Sequence, residues 1–244
     1  MKFTNREPTH WRDLQSLVAK YLNEADYKAI TSHEIDTVRG KVEVDVFVQA
    51  DTELGKTVLC ECKFWNTNIP KEKVHAFRTV ILDSGASLGI IISKRGFQKG
   101  AIEAAKNANI ELKTWDEFLS MIYEKWLTSR LISIKRKRIP LGIYMDPMTM
   151  PGEKLSIDKQ NLYFESIKHY SGVDSAAWMI TKNDFFQEMR NFYKVNEFDT
   201  AEEYIDYLFN QIDIAIEYYK ILFNGIDIPE STFDVPDAYT LAFL

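Results

Sequence analysis

Among its 244 residues the chain has only two cysteines, four histidines, seven prolines and ten glycines. Cys60 and Cys62 are one residue apart on an alternating stretch. That number and placement do not suggest a disulfide framework, and two thiols are too few to make a zinc site alone. They read as small buried residues in a reducing cytoplasm. No stretch approaches the roughly 20 apolar residues of a membrane span. The opening Met1-Lys2-Phe3-Thr4-Asn5-Arg6-Glu7-Pro8 has no apolar signal core, so no membrane partner is expected. The Gly96/Gly100 pair is too sparse for a nucleotide-binding fingerprint.

Charge is scarce in net terms but uneven. Residues 1–130 hold 19 Lys/Arg against 18 Asp/Glu, a net +1. Residues 131–244 hold 11 against 18, a net −7, and without Lys135-Arg136-Lys137-Arg138 the remainder stands at −11. An acidic half is a poor place for a phosphate backbone. Nucleic acid, if bound, belongs to the first half. The basic run either assists there or is a solvated linker.

Two alternating stretches are the most informative feature: Val42-Glu43-Val44-Asp45-Val46 and Leu59-Cys60-Glu61-Cys62-Lys63. A period of two is that of a strand with unlike faces. The polar segment Asp51–Lys56 closes a hairpin. With the turn centred on Glu53, Asp45 faces Glu61 and Glu43 faces Lys63. Val42, Val44, Val46, Val58, Cys60 and Cys62 then form an apolar back face. Like charges directly opposite on a sheet are destabilising, so Asp45 against Glu61 calls for a hard divalent cation between them. The competing reading is two solvated strand ends with a Glu43–Lys63 ion pair. A one-residue slip would move the whole set to the other face.

Asp45, the hairpin and Glu61-Cys62-Lys63 resemble the PD-(D/E)xK nuclease superfamily, and within it the Mrr-like restriction endonucleases. The similarity extends to the amphipathic helix beginning Trp11-Arg12-Asp13-Leu14-Gln15, the buried strand Ser87–Ser93, the helix following Gly96 and the strand Ile110-Glu111-Leu112. It covers residues 8 to about 130. The resemblance implies an α/β restriction-endonuclease-like core, a mixed sheet flanked by helices. It implies Mg²⁺, replaceable by Mn²⁺, on Asp45, Glu61 and the backbone carbonyl of Cys62. It also implies that Lys63 activates or orients water or stabilises charge, and that the substrate is DNA. Two positions depart from the pattern. Gln15 stands where members often carry a helix Glu, and Glu61 stands where many Mrr-like proteins have Gln. Glu43 is a further acidic candidate.

Elsewhere, helical spacing predicts a first helix from about Thr9, as N-cap, to Ala25, with Trp11 on the inward stripe and Gln15 at its edge. A strand over Tyr27–Ile35 follows. Trp65 either stacks on a base or ribose or packs under its loop. Pro70 opens a helix to about Leu82. Ile90-Ile91-Ile92 suits a strand covered on both faces. Lys94, Arg95 and Lys99 form either a DNA-phosphate site or a basic surface loop. Residues 131–152, with Pro140, Pro147 and Pro151, read as a basic, irregular linker. Residues 153–244 read as an acidic, aromatic-rich, mostly helical accessory domain. Helices are expected there over 182–193 and over 201–223, the second opening with the capping box Thr200-Ala201-Glu202-Glu203. That helix is apolar enough to require burial, in its own module or against another copy or a protein partner. The chain thus reads as a Mg²⁺-dependent endonuclease acting on DNA, in restriction or defence. The alternative is a catalytically degenerate nuclease fold kept for nucleic-acid binding or assembly.

Overall fold

Alternation fixes the sheet. In the computed structural model, which describes residues 2–49, 57–182 and 194–234, the stretches above become β2 (Gly40–Gln49) and β3 (Thr57–Lys63). They pair antiparallel through Val46↔Cys60, Phe47↔Leu59, Val48↔Val58 and Gln49↔Thr57. This is the register expected for a turn centred on Glu53, although the turn itself lies outside the described residues. With β1 (Lys28–Thr37), β4 (Leu88–Ser93) and β5 (Ile110–Thr114) they form one five-stranded sheet in the order β1-β2-β3-β4-β5. The first three strands are antiparallel and the last three parallel.

Helices cover the sheet. In α1 (Trp11–Glu24) Leu14, Leu17, Val18, Tyr21 and Leu22 are buried. Its N-cap is His10 rather than Thr9. The His10 side chain accepts from the Asp13 amide, while the Thr9 amide and hydroxyl donate to the Asp13 carboxylate. Trp11, expected inward, is exposed. α2 (Lys71–Ser84) ends at Gly85, whose φ of 70° suits a left-handed cap. Val74, Phe77 and Ile81 from α2 pack with Leu59, Ile91 and Ile110 of the sheet and with Ala101 of α3 (Lys99–Ala105). Gly89 lets α2 approach closely there: a Cβ at that position would overlap Ile81 Cδ1 and lie 2.8 Å from Phe77 Cε1, so these side chains would have to shift. Ile90, Ile91 and Ile92 are all buried, as a two-sided strand requires.

The chain divides into two units. One is Arg6–Leu127; the other joins the residues up to Asn5 to those from Thr128 onward. α4 (Trp115–Lys137) runs through this boundary, and α5 (Ile139–Tyr144) follows it. Residues 131–144, expected as part of an irregular linker, are therefore almost wholly helical. Pro140 sits in the first turn of α5, where its missing N–H costs nothing. Three residues of the basic run are engaged within this unit rather than solvated: Lys135 is buried and donates to Trp178 O at 2.7 Å, Lys137 pairs with Asp213 at 2.6 Å, and Arg138 pairs with Asp174 at 2.7 Å, while Arg136 is exposed. In the second unit α6 (Ile157–Met179) and α7 (Ala201–Leu222) pack together, and α5 packs on α7. The Thr200/Glu203 capping box of α7 is formed. Its apolar residues Tyr204, Ile205, Leu208, Ile212, Ala215 and Tyr219 are buried within this unit. Residues 2 and 3 complete the cap: the amides of Ala201 and Glu202 donate to Lys2 O and Phe3 O. The helix expected over 182–193 falls almost entirely outside the described residues. Among the described residues, no helix is long and apolar enough to cross a membrane.

Candidate active site

Asp45 is missing from both ladders that flank it. β1 pairs with β2 through Thr31↔Val46 and His33↔Val44, skipping Asp45, and the β2–β3 ladder ends at Val46↔Cys60. Ser32, which would oppose Asp45, has φ 50°, a left-handed conformation that a non-glycine residue adopts at a cost. The alternation breaks here too. Val44 joins the cluster containing Leu59, whereas regular alternation would have placed it with Cys60. The expected continuous apolar back face is therefore interrupted at Asp45.

The break frees the Asp45 carboxylate. Its Oδ2 accepts from the Cys62 backbone N–H at 2.6 Å, replacing a ladder acceptor. Its Oδ1 accepts from Gln15 Nε2 at 2.7 Å. Gln15 is buried on the inward face of α1, so helix packing fixes its reach to the sheet. Glu61 lies beside this pair. Burial first, and the Asp45 carboxylate second, hold the Glu61 carboxyl above its ordinary value; Lys63 and Lys73 oppose that rise. Lys63 Nζ forms an ion pair with Glu61 Oε1. Glu43, which the competing reading paired with Lys63, is exposed and opposite Glu34 on β1. Asp45, Glu61, Lys63 and Gln15 are thus brought together, and Glu43 does not pair with Lys63. Burial drives the Cys60 thiol up to about 12 and the Cys62 thiol well above its ordinary value, so neither is a thiolate nucleophile.

Among the described residues no cluster of three or more His, Cys, Asp and Glu forms. The donors available are two carboxylates, the Cys62 carbonyl and the Gln15 amide. All offer oxygen, and the carboxylates repel one another, which fits a hard divalent cation with water completing its shell.

The loops beyond β3 and β4 are joined into one platform. Ile69 N–H donates to Gly96 O at 2.9 Å, Gln98 N–H to Ile69 O at 3.0 Å, and Lys94 N–H to Lys63 O at 3.1 Å. The Ser93 hydroxyl accepts from the Gly96 amide at 3.0 Å, and Gly96 takes φ 116°. Lys94, Arg95 and Lys99 are exposed on this platform. Lys73 is a neighbour that the motif reading missed. Its signal was a cation in the first turn after Pro70, one helix entry beyond Lys63.

Residues 7–122 match the model of a family described as restriction endonuclease, of the Mrr catalytic type. A comparison with curated proteins gives no match. Among solved structures, one described as a protein of unknown function aligns at 16% identity and a TM-score of 0.42, covering 86% of this chain and 100% of the other. That likeness is too distant to carry an argument.

Proposed function

Because residues 7–122 match the restriction-endonuclease family model of the Mrr type, we propose that the protein is an endonuclease hydrolysing DNA phosphodiester bonds with Mg²⁺ or Mn²⁺. The observation that carries this reading is the Asp45 carboxylate, released from both ladders and set beside a Glu61 carboxyl that burial and Asp45 hold above its ordinary value. Asp45, Glu61 and the Cys62 carbonyl are the proposed ligands. A divalent cation held there supplies positive charge to the phosphoryl oxygens and acidifies water. Gln15 and the Cys62 amide orient the Asp45 carboxylate from two directions. Lys63, drawn to Glu61 in the free protein, turns its ammonium to the negative charge that develops on the phosphate. Lys94, Arg95 and Lys99 receive backbone phosphates, since the platform carries them at the C-terminal ends of parallel strands, where open sheets place ligands. Restriction or defence in the cytoplasm is the proposed setting; Cys60 and Cys62 are free and buried, which suits a reducing compartment.

The test is plasmid cleavage with added Mg²⁺ or Mn²⁺ by wild type and Asp45→Ala. Nicking or linearisation by the wild type alone supports the reading, and equal cleavage by both removes Asp45 from it. One observation favours a second reading, DNA binding without hydrolysis: Gln15 brings an amide donor where an acidic side chain would bring charge. A wild type with no saturable Mg²⁺ or Mn²⁺ site would decide for that reading.

A further inference from the structure

The loop after β3 carries an aromatic side chain that the chemistry above leaves unused. Trp65 is 37% exposed. Lys73 Nζ lies 5.6 Å from its ring centroid and Lys63 Nζ 6.0 Å. Both lysines also act on the Glu61 carboxyl, so the indole stands one ammonium away from the acidic pair. Beside it, Lys94 Nζ lies 4.2 Å from the Phe64 centroid and donates to Asn66 Oδ1 at 3.1 Å. The five residues after β3 therefore hold two aromatic rings, each with a cation on it. Exposed indole forgoes the gain of burial. At 37% exposure the residue is partly covered by its loop and partly open to solvent, which leaves surface free for a ligand.

Resting on the nuclease reading, we propose that Trp65 stacks on an unpaired DNA base next to the phosphate that is cut. The substrate is then DNA unpaired at the cleavage site. Every base has a π-face, but in a duplex those faces are covered by the neighbouring pairs; an aromatic side chain reaches one only in a single strand or when the base is extruded. A lysine over a ring is held weakly and is drawn off by a phosphate of full charge. Lys63 and Lys73 would then move from the indole to the backbone as the base takes their place. The chain has five tryptophans, and only Trp65 is placed beside the acidic pair by these contacts.

The experiment uses the full chain with a chelator present, so that nothing is cut. Oligothymidylate and a blunt duplex are titrated into wild type, Trp65→Phe and Trp65→Ala, with tryptophan emission and affinity both read. The Trp65 signal, wild type minus Trp65→Phe, is expected to be quenched by oligothymidylate and not by duplex. Trp65→Ala is expected to weaken single-strand binding about tenfold or more, the effect of losing one base–aromatic stack. Trp65→Phe keeps most of the affinity, and duplex binding stays unchanged. Circular dichroism confirms that the variants are folded. Equal single-strand affinity in Trp65→Ala and wild type, or equal quenching by duplex, overturns the stacking proposal while leaving the nuclease reading in place. Failure of every form to bind either DNA overturns both.

Discussion

Two groups of cations, one in each unit, have different surroundings. From Thr128 onward five cations are engaged internally, while Arg136, Lys154 and Lys168 are exposed. Lys135 caps a backbone carbonyl of α6, Lys137 and Arg138 meet aspartates, Arg130 meets Asp206 at 2.6 Å, and Lys159 donates to Leu222 O near the end of α7 at 3.0 Å. In the Arg6–Leu127 unit Lys20, Arg39, Lys41 and Lys113 pair with carboxylates and Lys63 pairs with Glu61, whereas Lys73, Lys94, Arg95 and Lys99 make no ion pair among the described residues. Three of the four cations in the densest basic run are thus engaged within the unit, and Lys94, Arg95 and Lys99, after β4, are the sparser ones left without an ion pair among the described residues. Local charge density does not mark a phosphate site. The proposed phosphate contacts, Lys94, Arg95 and Lys99, are instead exposed cations with no ion pair among the described residues.

That contrast can be broken most decisively at Lys63. Lys63→Ala should lower cleavage by about 10²–10³-fold, the usual effect of losing one charge-stabilising group, with no fall in thermal stability. Unchanged turnover would remove Lys63 from the site. Arg138→Ala is the mirror experiment. It leaves Asp174 largely buried without its partner; burial already pushes that carboxyl up, and Arg138 counters the push. A loss of about 2 kcal/mol in urea unfolding is expected, below the range for fully buried pairs because both side chains are partly exposed. DNA affinity should not change. Wild-type stability in this variant would show that the pair is ornamental.

Lys94→Ala with Lys99→Ala comes next. Each lost phosphate contact should flatten the slope of log affinity against log salt by about 1, at constant melting temperature. A slope that does not move places the DNA elsewhere. The smallest effect belongs to Glu61→Gln. The Glu61 carboxyl is raised, so the native state holds its proton more tightly than the unfolded chain. Without metal, stability should be fullest on the acid side and fall as pH rises from the ordinary glutamate value through the raised one. The amide removes that fall, so metal-free Glu61→Gln should melt above wild type at neutral pH and with it in acid. Parallel melting curves at every pH would contradict the burial of Glu61.

The hairpin register was legible because alternating valines leave only one pairing that buries them. The α7 start was legible because Thr200 and Glu203 complete a local motif that needs no tertiary help. Three features escaped. α6 has no strong stripe to read: its buried residues, such as Tyr163, Ser166 and Tyr170, are partly polar in character. Pro140 reads as a break, yet it opens α5. The kink at Asp45 escaped because strict alternation does not foresee that Ser32 turns left-handed and the ladders part there. The site was thus visible as a set of residue types on one hairpin, while its internal pairing depended on an irregularity that a period of two cannot encode.

The cap that residues 2 and 3 place on the first turn of α7 has a consequence for the order of events during synthesis. Thr4 strengthens it through a buried hydrogen bond to Glu202, 198 positions away. The Arg6–Leu127 unit is therefore an insert within the other unit, and it leaves the ribosome complete while residues 2–4 still wait for their partners. Closing a chain loop costs entropy that grows with the logarithm of its length. An insert that folds first would replace a long floating tether with a fixed span, so folding of the Arg6–Leu127 unit would lower the entropy cost of joining the two segments that flank it in sequence.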